Sequence, residues 1–416
     1  MSGPFGSTLK GDAYLSSGDI AFIRVQNIKG GFDINDNDLV YISNKDNEKI
    51  KSSSLQEGDL ILSKVGNSIG YFAKVSSDLG KCNISENNIG IKLSSYSDIE
   101  KSFILTYLNA KYANKLVLRR KSGNAQPKIN VDDLCRIPIL IFPKLSENIH
   151  NLIQLHEAYL NQSILSYKQA EDILNKELGI TNIENTKNYS VKSFSESFGE
   201  SNRLDAEYYQ DKYTQLFDII KNEKQLKELV TITKSIEPGS DEYKDEGIPF
   251  LRVSNLTKFG LTDSNVFLDR KKYENLLKPR KDTILFSKDG SIGIAYKAES
   301  DLDCITSGAL LHLSVKKTTI LPDYLALVLN SKIVQLQAER DSGGSIINHW
   351  RLPEIEMVLI PMLDYDIQNQ ISQKVQESFK LRKDSKNLIN VAIRAVELAI
   401  EKNEEYASQW LIENSN

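Results

Sequence analysis

Residues 22–28, Phe-Ile-Arg-Val-Gln-Asn-Ile, return at 250–256 as Phe-Leu-Arg-Val-Ser-Asn-Leu, and this duplication constrains the 416-residue chain more than any other feature. The upstream tyrosines Tyr14 and Tyr243 keep the register. Residues 58–70 match 281–293, and further matches follow in order: Cys82 with Cys304, Ser85 with Ser307, Leu108-Asn109 with Leu329-Asn330, Ser122-Gly123 with Ser342-Gly343, and Pro143 with Pro361. The offset narrows smoothly from 229 to 218 residues along this series, as small loop indels would make it. Chance matches would not stay collinear.

Each copy has the same local grammar. The Phe-Ile-Arg-Val and Asp-Leu-Ile-Leu runs are short, apolar and β-branched, and predict strands, which places Arg24 and Arg252 in strands. The glycine-bearing segment after the second run predicts a tight strand-to-strand turn. Residues 101–119 and 322–340 carry helical spacing, with Pro322 suited to a first turn. A long apolar stripe follows each globule: Ile149, Ile153, Leu160, Ile164, Tyr167, Leu174 and Leu178 in the first, with Ser146 as N-cap and Gly179 as stop. The second stripe starts at Asp364 and includes Ile367, Ile371, Val375, Phe379, Ile389, Ile393, Val396 and Ile400. A single stripe of this kind usually packs on its own domain. Two equivalent ones, each after an equivalent domain, favour helices that pair in a coiled coil through Ile153, Leu160, Tyr167 and Leu174 on one side and Ile371, Val375, Ile389, Ile393 and Val396 on the other. The expected fold is α+β, with two repeated domains at 1–145 and 190–363, long helices within 146–189 and 364–402, and a tail at 403–416.

Composition excludes several classes. With 40% hydrophobic and 26% charged residues the chain is neither disordered nor collagen-like, and no apolar run is long enough to span a bilayer. Three cysteines cannot build a disulfide framework, so a cytoplasmic address is expected. The net charge of -4 carries no global nucleic-acid signature, although residues 1–145 hold 19 Lys+Arg against 15 Asp+Glu. Catalytic patterns are missing too. The sequence has no phosphate-cradling glycine loop, no His-Glu-x-x-His, and no Asn/Asp-Pro-Pro-Tyr/Phe run, and its four histidines lack metal-ligand spacing. Pro322-Asp323 has no Glu-x-Lys partner to make a nuclease site.

The chain resembles the specificity subunits of type I restriction-modification systems. The resemblance rests on the opening Ser2-Gly3-Pro4-Phe5-Gly6-Ser7, both Phe-Ile/Leu-Arg-Val-x-Asn segments, the two Ser-Lys-x-Gly or Ser-Ile-Gly turns, and the Ser-Gly segments before a Leu/Ile-x-x-Ile/Val-x-Ile-Pro approach to each long helix. Arg203-Leu204-Asp205-Ala206-Glu207-Tyr208-Tyr209 followed by Leu226-Lys227-Glu228-Leu229 is similar to the family's domain opening. The resemblance implies two target-recognition domains, each reading half of a split double-stranded DNA site, and two antiparallel helices that set spacing and dock two methyltransferase subunits. Thirty-three helical residues give roughly 50 Å, about fifteen base pairs. Catalysis is expected in partner chains: S-adenosylmethionine bound by the methyltransferase, cleavage by a restriction/translocase subunit, and no cofactor or metal on this chain. The family's plan also implies an opening segment ahead of Gly3, like residues 191–237 ahead of Pro238-Gly239-Ser240.

Candidate DNA contacts divide into three sets. Lys64, Asn67 and Ser68, with Lys288, Asp289 and Ser291, sit at turn tips, where they are equally suited to maintaining the fold. Asn124, Gln126 and Lys128, with Ser345, Asn348, His349 and Arg351, differ between the repeats, as readers of different half-sites should. Arg119, Arg120 and Lys121 form the strongest local basic run, suited to phosphates or to a solvated helix end. An alternative from another class stays open: a structural coiled-coil adaptor, or a regulatory form deficient in DNA binding.

Overall fold

The computed structural model describes residues 1–4, 8–9, 13–28, 30, 32–35, 39–123, 127–180, 183–184, 189–316, 320–342 and 349–414, without the side chains of Asn67 and Glu200. The chain divides into two compact units, residues 1–160 with 382–416 and residues 161–381. Both mix helices and sheets.

In the first unit, strand Ile20–Ile23 lies between Val40–Ile42, antiparallel, and Cys82–Ile84, parallel. A second sheet places Leu60–Ser63 between Phe72–Lys74 and Asn88–Ile91, both antiparallel. The central strand is buried on both faces because its side chains alternate between two cores: Leu60 and Leu62 meet Phe103 and Leu108, while Ile61 joins Ile23 and Cys82. The second unit repeats this plan. Ile248–Leu251 pairs with Phe267–Leu268 and, in parallel, with Ile305–Thr306. Ile284–Ser287 sits between Ala295–Lys297 and Leu310–Val315, which pairs in turn with Val230–Lys234.

The duplicated Arg-x-x-Asn positions differ from expectation. Arg24 and Arg252 lie just past their strands, capping the short turns Val25–Asn27 and Val253–Asn255. The asparagine holds each turn: Arg24 N donates to Asn27 Oδ1 and Arg252 N to Asn255 Oδ1, each at 3.0 Å. The connections from 64 to 71 and from 288 to 294 are longer than tight turns, and need positive φ at Gly66, Gly70, Gly290 and Gly293.

Each expected helix at 101–119 and 322–340 is two helices. Asp98–Asn109 breaks at Ala110 (ψ 149°) before Lys111–Arg119, and Pro322–Asn330 breaks at Ser331 (ψ 163°) before Lys332–Asp341. The asparagine at the end of the first helix offsets the cost of the break. Asn109 Nδ2 donates to Phe72 O at 2.9 Å and Leu105 O at 3.0 Å, while its Oδ1 accepts from Phe72 N at 3.1 Å. Asn330 makes the same three bonds, to Ala295 O, Ala326 O and Ala295 N, at 2.7, 2.9 and 3.0 Å. An amide side chain thus ties a helix end to a strand edge in both units.

The long helices run over Pro143–Leu178 and Tyr365–Glu401. The first therefore starts before Ser146, whose hydroxyl bonds Phe142 O at 2.8 Å from inside the helix. Pro143 holds the first position, which suits its fixed φ. Its match with Pro361 is not structural, since Pro361 ends a strand. The tail is a helix, Glu404–Asn414, that buries Ala407 and Leu411 in the first unit. Its Glu404 accepts from the first-turn amides of Lys144 at 2.6 Å and Leu145 at 3.2 Å, which caps the first long helix from far along the sequence.

Within each unit the two long helices touch. In the first, Ser385 Oγ meets His156 Nδ1 at 2.6 Å, and His156 Nε2 lies 3.3 Å from Asp33. Burial lowers the imidazole pKa, but Asp33, helped by Ser385, outweighs it and leaves the pKa raised. Stability from His156 is therefore fully present below the imidazole's ordinary pKa and is lost as pH rises through the higher folded value. Thermal unfolding followed from about pH 5.5 to about pH 8.5 is expected to show this loss, and Asp33→Asn to remove it. In the second unit, buried Ser163 and Ser378 hydroxyls meet at 3.0 Å, and Tyr167 packs edge-on against Phe259 at 4.9 Å.

Candidate nucleic-acid interface

Backbone pairing brings the first unit's basic residues to one corner. The helix Lys111–Arg119 ends at Arg119, Arg120 forms its cap, and Lys121 leads into Ser122. Ser122 and Lys128 exchange backbone bonds at 2.8 Å, Ile129 N donates to Lys64 O at 3.1 Å, and Gly66 N to Pro127 O at 3.3 Å. Lys64, Ser68, Arg119, Arg120, Lys121 and Lys128 are all exposed or half-buried. Among the described residues Arg120 reaches the Arg136 carbonyl, at 3.5 Å. Among the described residues no carboxylate pairs with Lys64, Arg119, Lys121 or Lys128. Asn124, Gln126, Ser345 and Asn348 lie outside the described residues, as does the side chain of Asn67.

The second unit builds the same corner with different electrostatics. Trp350 N donates to Lys288 O at 2.9 Å, and Asp289 and His349 form a bridge at the positions of Val65 and Lys128. Fully buried Trp350 packs on Phe286 at 5.8 Å and anchors the segment. Asp289 then gathers the polar groups: Lys288 Nζ bonds one oxygen, and His349 Nδ1 the other at 2.8 Å. Burial raises the Asp289 pKa, but Lys288 and His349 outweigh it and hold the carboxyl below its usual range. Ser291 is exposed, and its carbonyl accepts from Ser287 Oγ at 2.6 Å. Arg351 is occupied as well, with Nε on Glu354 at 2.9 Å. Arg340, the counterpart of Arg119, pairs with Asp341 at 2.7 Å and stacks over Tyr208 and Phe217. Each cation of this corner thus has its own carboxylate. Sequence reasoning missed Asp289 as the organiser, because one carboxylate in a polar turn carries no signal until its neighbours are known.

The helix positions expected to pair also serve the unit cores. Ile153, Ile389 and Val396 are buried in the first unit's core, with Ile393 partly buried against it and Leu160 half-buried. Tyr167, Leu174, Ile371 and Val375 belong to the second unit's core. Among the described residues there is no cluster able to hold a metal ion and no helix long and apolar enough to cross a membrane.

The pattern of the family described as type I restriction modification DNA specificity domain matches residues 221–393. Those residues are similar to a type I DNA specificity domain. Lys288, Ser291, His349 and Arg351 lie within it, and the expected resemblance holds there. The specificity subunit of the type I restriction enzyme EcoBI from Escherichia coli is 26% identical over 192 residues, which are 43% of this chain and 39% of that subunit. The match therefore spans about two-fifths of that relative's length. The type I restriction-modification S subunit from M. genitalium aligns over 95% of this chain and 92% of its own at 13% identity and a TM-score of 0.39. The HsdS subunit from Thermoanaerobacter tengcongensis aligns over 97% and 94% at 15% identity and a TM-score of 0.30.

Proposed function

We propose that the chain is the non-catalytic DNA-recognition subunit of a type I restriction-modification assembly. Its domains at 1–145 and 190–363 each take one half of a bipartite duplex site. The helices within 146–189 and 364–402 pair antiparallel as a coiled coil, set the spacing and dock methyltransferase subunits. The observation that carries this reading is the specificity domain at 221–393, together with the recurrence of its strand and helix plan in residues 1–145. The hydroxyl contacts of His156 with Ser385 and of Ser163 with Ser378 support pairing of the helices within each unit.

The chemistry divides between the corners. Lys64, Arg119, Arg120, Lys121 and Lys128 hold phosphates and fix register. Ser68, Asn124 and Gln126 in the first domain, and Ser291, Ser345, Asn348 and His349 in the second, meet base edges in the major groove. Asn67, Lys288 and Arg351 are further candidate contacts. S-adenosylmethionine belongs to the partner methyltransferase, which flips the target adenine; this chain supplies the address. The test is binding by the chain and its methyltransferase partner to duplexes with and without the methylated bipartite site. Preference of about a thousandfold or more for the site is expected, and equal affinity for both duplexes contradicts the reading.

A further inference from the structure

The carboxylate that organises the second unit's corner also decides which way round the His349 ring carries its proton. Asp289 accepts from Lys288 Nζ on one oxygen and meets His349 Nδ1 at 2.8 Å with the other. The ammonium beside it favours the ionised carboxyl, and an ionised carboxylate can only accept. The hydrogen of the contact therefore sits on Nδ1. In a neutral imidazole this leaves Nε2 with a bare lone pair, a hydrogen-bond acceptor.

The couple is fixed in place yet open to a ligand. Asp289 and His349 face each other across a backbone bridge, and the next residue, Trp350, is fully buried and donates its N–H to Lys288 O at 2.9 Å. The His349 side chain nevertheless stays 61% exposed, against 23% for Asp289, and among the described residues no group bonds its Nε2. Space beside the couple is free, since a Cβ added at Gly290 (φ +72°) would meet no atom within 4 Å. The first unit places Val65 and Lys128 at the same bridge, with neither carboxylate nor ring. The device belongs to one domain.

We infer that Asp289 sets the tautomer of His349 so that Nε2 selects a base with an exocyclic amine, adenine through N6 or cytosine through N4, at one position of the half-site taken by residues 190–363. The inference rests on the DNA-recognition reading and sharpens it. Phosphate and deoxyribose oxygens accept and have nothing to give an acceptor, whereas the amines of adenine and cytosine are the donors of the major groove. His349 is the reader, and Asp289 is a positioning residue that acts through it.

The test measures affinities of the chain with its methyltransferase partner for duplexes that carry each base pair in turn at every position of that half-site. The unaltered chain is expected to favour adenine or cytosine at one position by about tenfold, and His349→Ala to cut the preference there to about twofold or less while other positions keep theirs. Asp289→Asn supplies a readout that structural support alone would not move. Lys288 only donates, so it keeps the amide oxygen and the amide nitrogen falls to His349. Nδ1 then accepts, the hydrogen moves to Nε2, and the preference at that position turns to guanine or thymine, whose O6 and O4 accept. Three results overturn the inference and leave the DNA-recognition reading standing: His349→Ala changes no position, the position it changes takes guanine or thymine in the unaltered chain, or Asp289→Asn keeps the original base. Equal affinity of the unaltered chain for all duplexes overturns both.

Discussion

Lys297→Met is expected to destabilise the second unit by about 3–5 kcal/mol, measured by urea unfolding of the full chain. Lys297 Nζ lies 2.9 Å from Asp323, and the two residues are 6% and 5% exposed. Burial lowers the Lys297 pKa, but Asp323, with Glu299, outweighs it and keeps the ammonium charged. Asp323 is in turn held by Gln376 of the second long helix at 2.7 Å. Removing the lysine leaves a buried carboxylate with only an amide for company, and the desolvation cost falls on the fold. The double variant Lys297→Met, Asp323→Leu should recover much of the loss, because the buried charge disappears with its partner. A single-variant loss below about 1 kcal/mol, the scale of an exposed ion pair, would show that water reaches the pair.

The second large effect concerns DNA. Replacing Lys64, Arg119 and Lys128 together by alanine is expected to flatten the dependence of log affinity on log salt by about 2.7, roughly 0.9 for each phosphate that the chain no longer neutralises. Replacing three cations of the second unit's corner, Lys288→Ala, Arg340→Ala and Arg351→Ala, should flatten it by less. Asp289, Asp341 and Glu354 already neutralise those cations, so binding there releases fewer counterions. By the same logic Asp289→Ala should strengthen binding to random duplex by freeing Lys288. Equal slopes for the two triples would remove the asymmetry between the corners.

What the sequence made legible follows from how each feature is encoded. The duplicated apolar runs fall on strands with the same pairing in both units, because burial on two faces demands an unbroken hydrophobic run. The breaks at Ala110 and Ser331 were illegible, since one ψ angle decides them and nearby residues keep helical spacing. The signal was the paired Asn109 and Asn330, visible as a match but silent about the backbone groups they would bond. Ser146 misled as a cap because Pro143 and the distant Glu404 already served that end. The tail helix lacked a clear period, and only its packing on the first unit makes Ala407 and Leu411 core residues. At the candidate interface the residue types were legible, but the clamp of Asp289 on Lys288 and His349 depends on a bridge between distant segments.

The most direct measurement of the central claim is a genome-wide adenine-methylation profile of cells that carry only this chain and its methyltransferase partner. The expected result is a single bipartite motif, in which replacing residues 221–363 with the equivalent segment of another specificity subunit changes one half and leaves the other intact. Methylation at no defined sequence, or a motif whose two halves both survive the exchange, would contradict it.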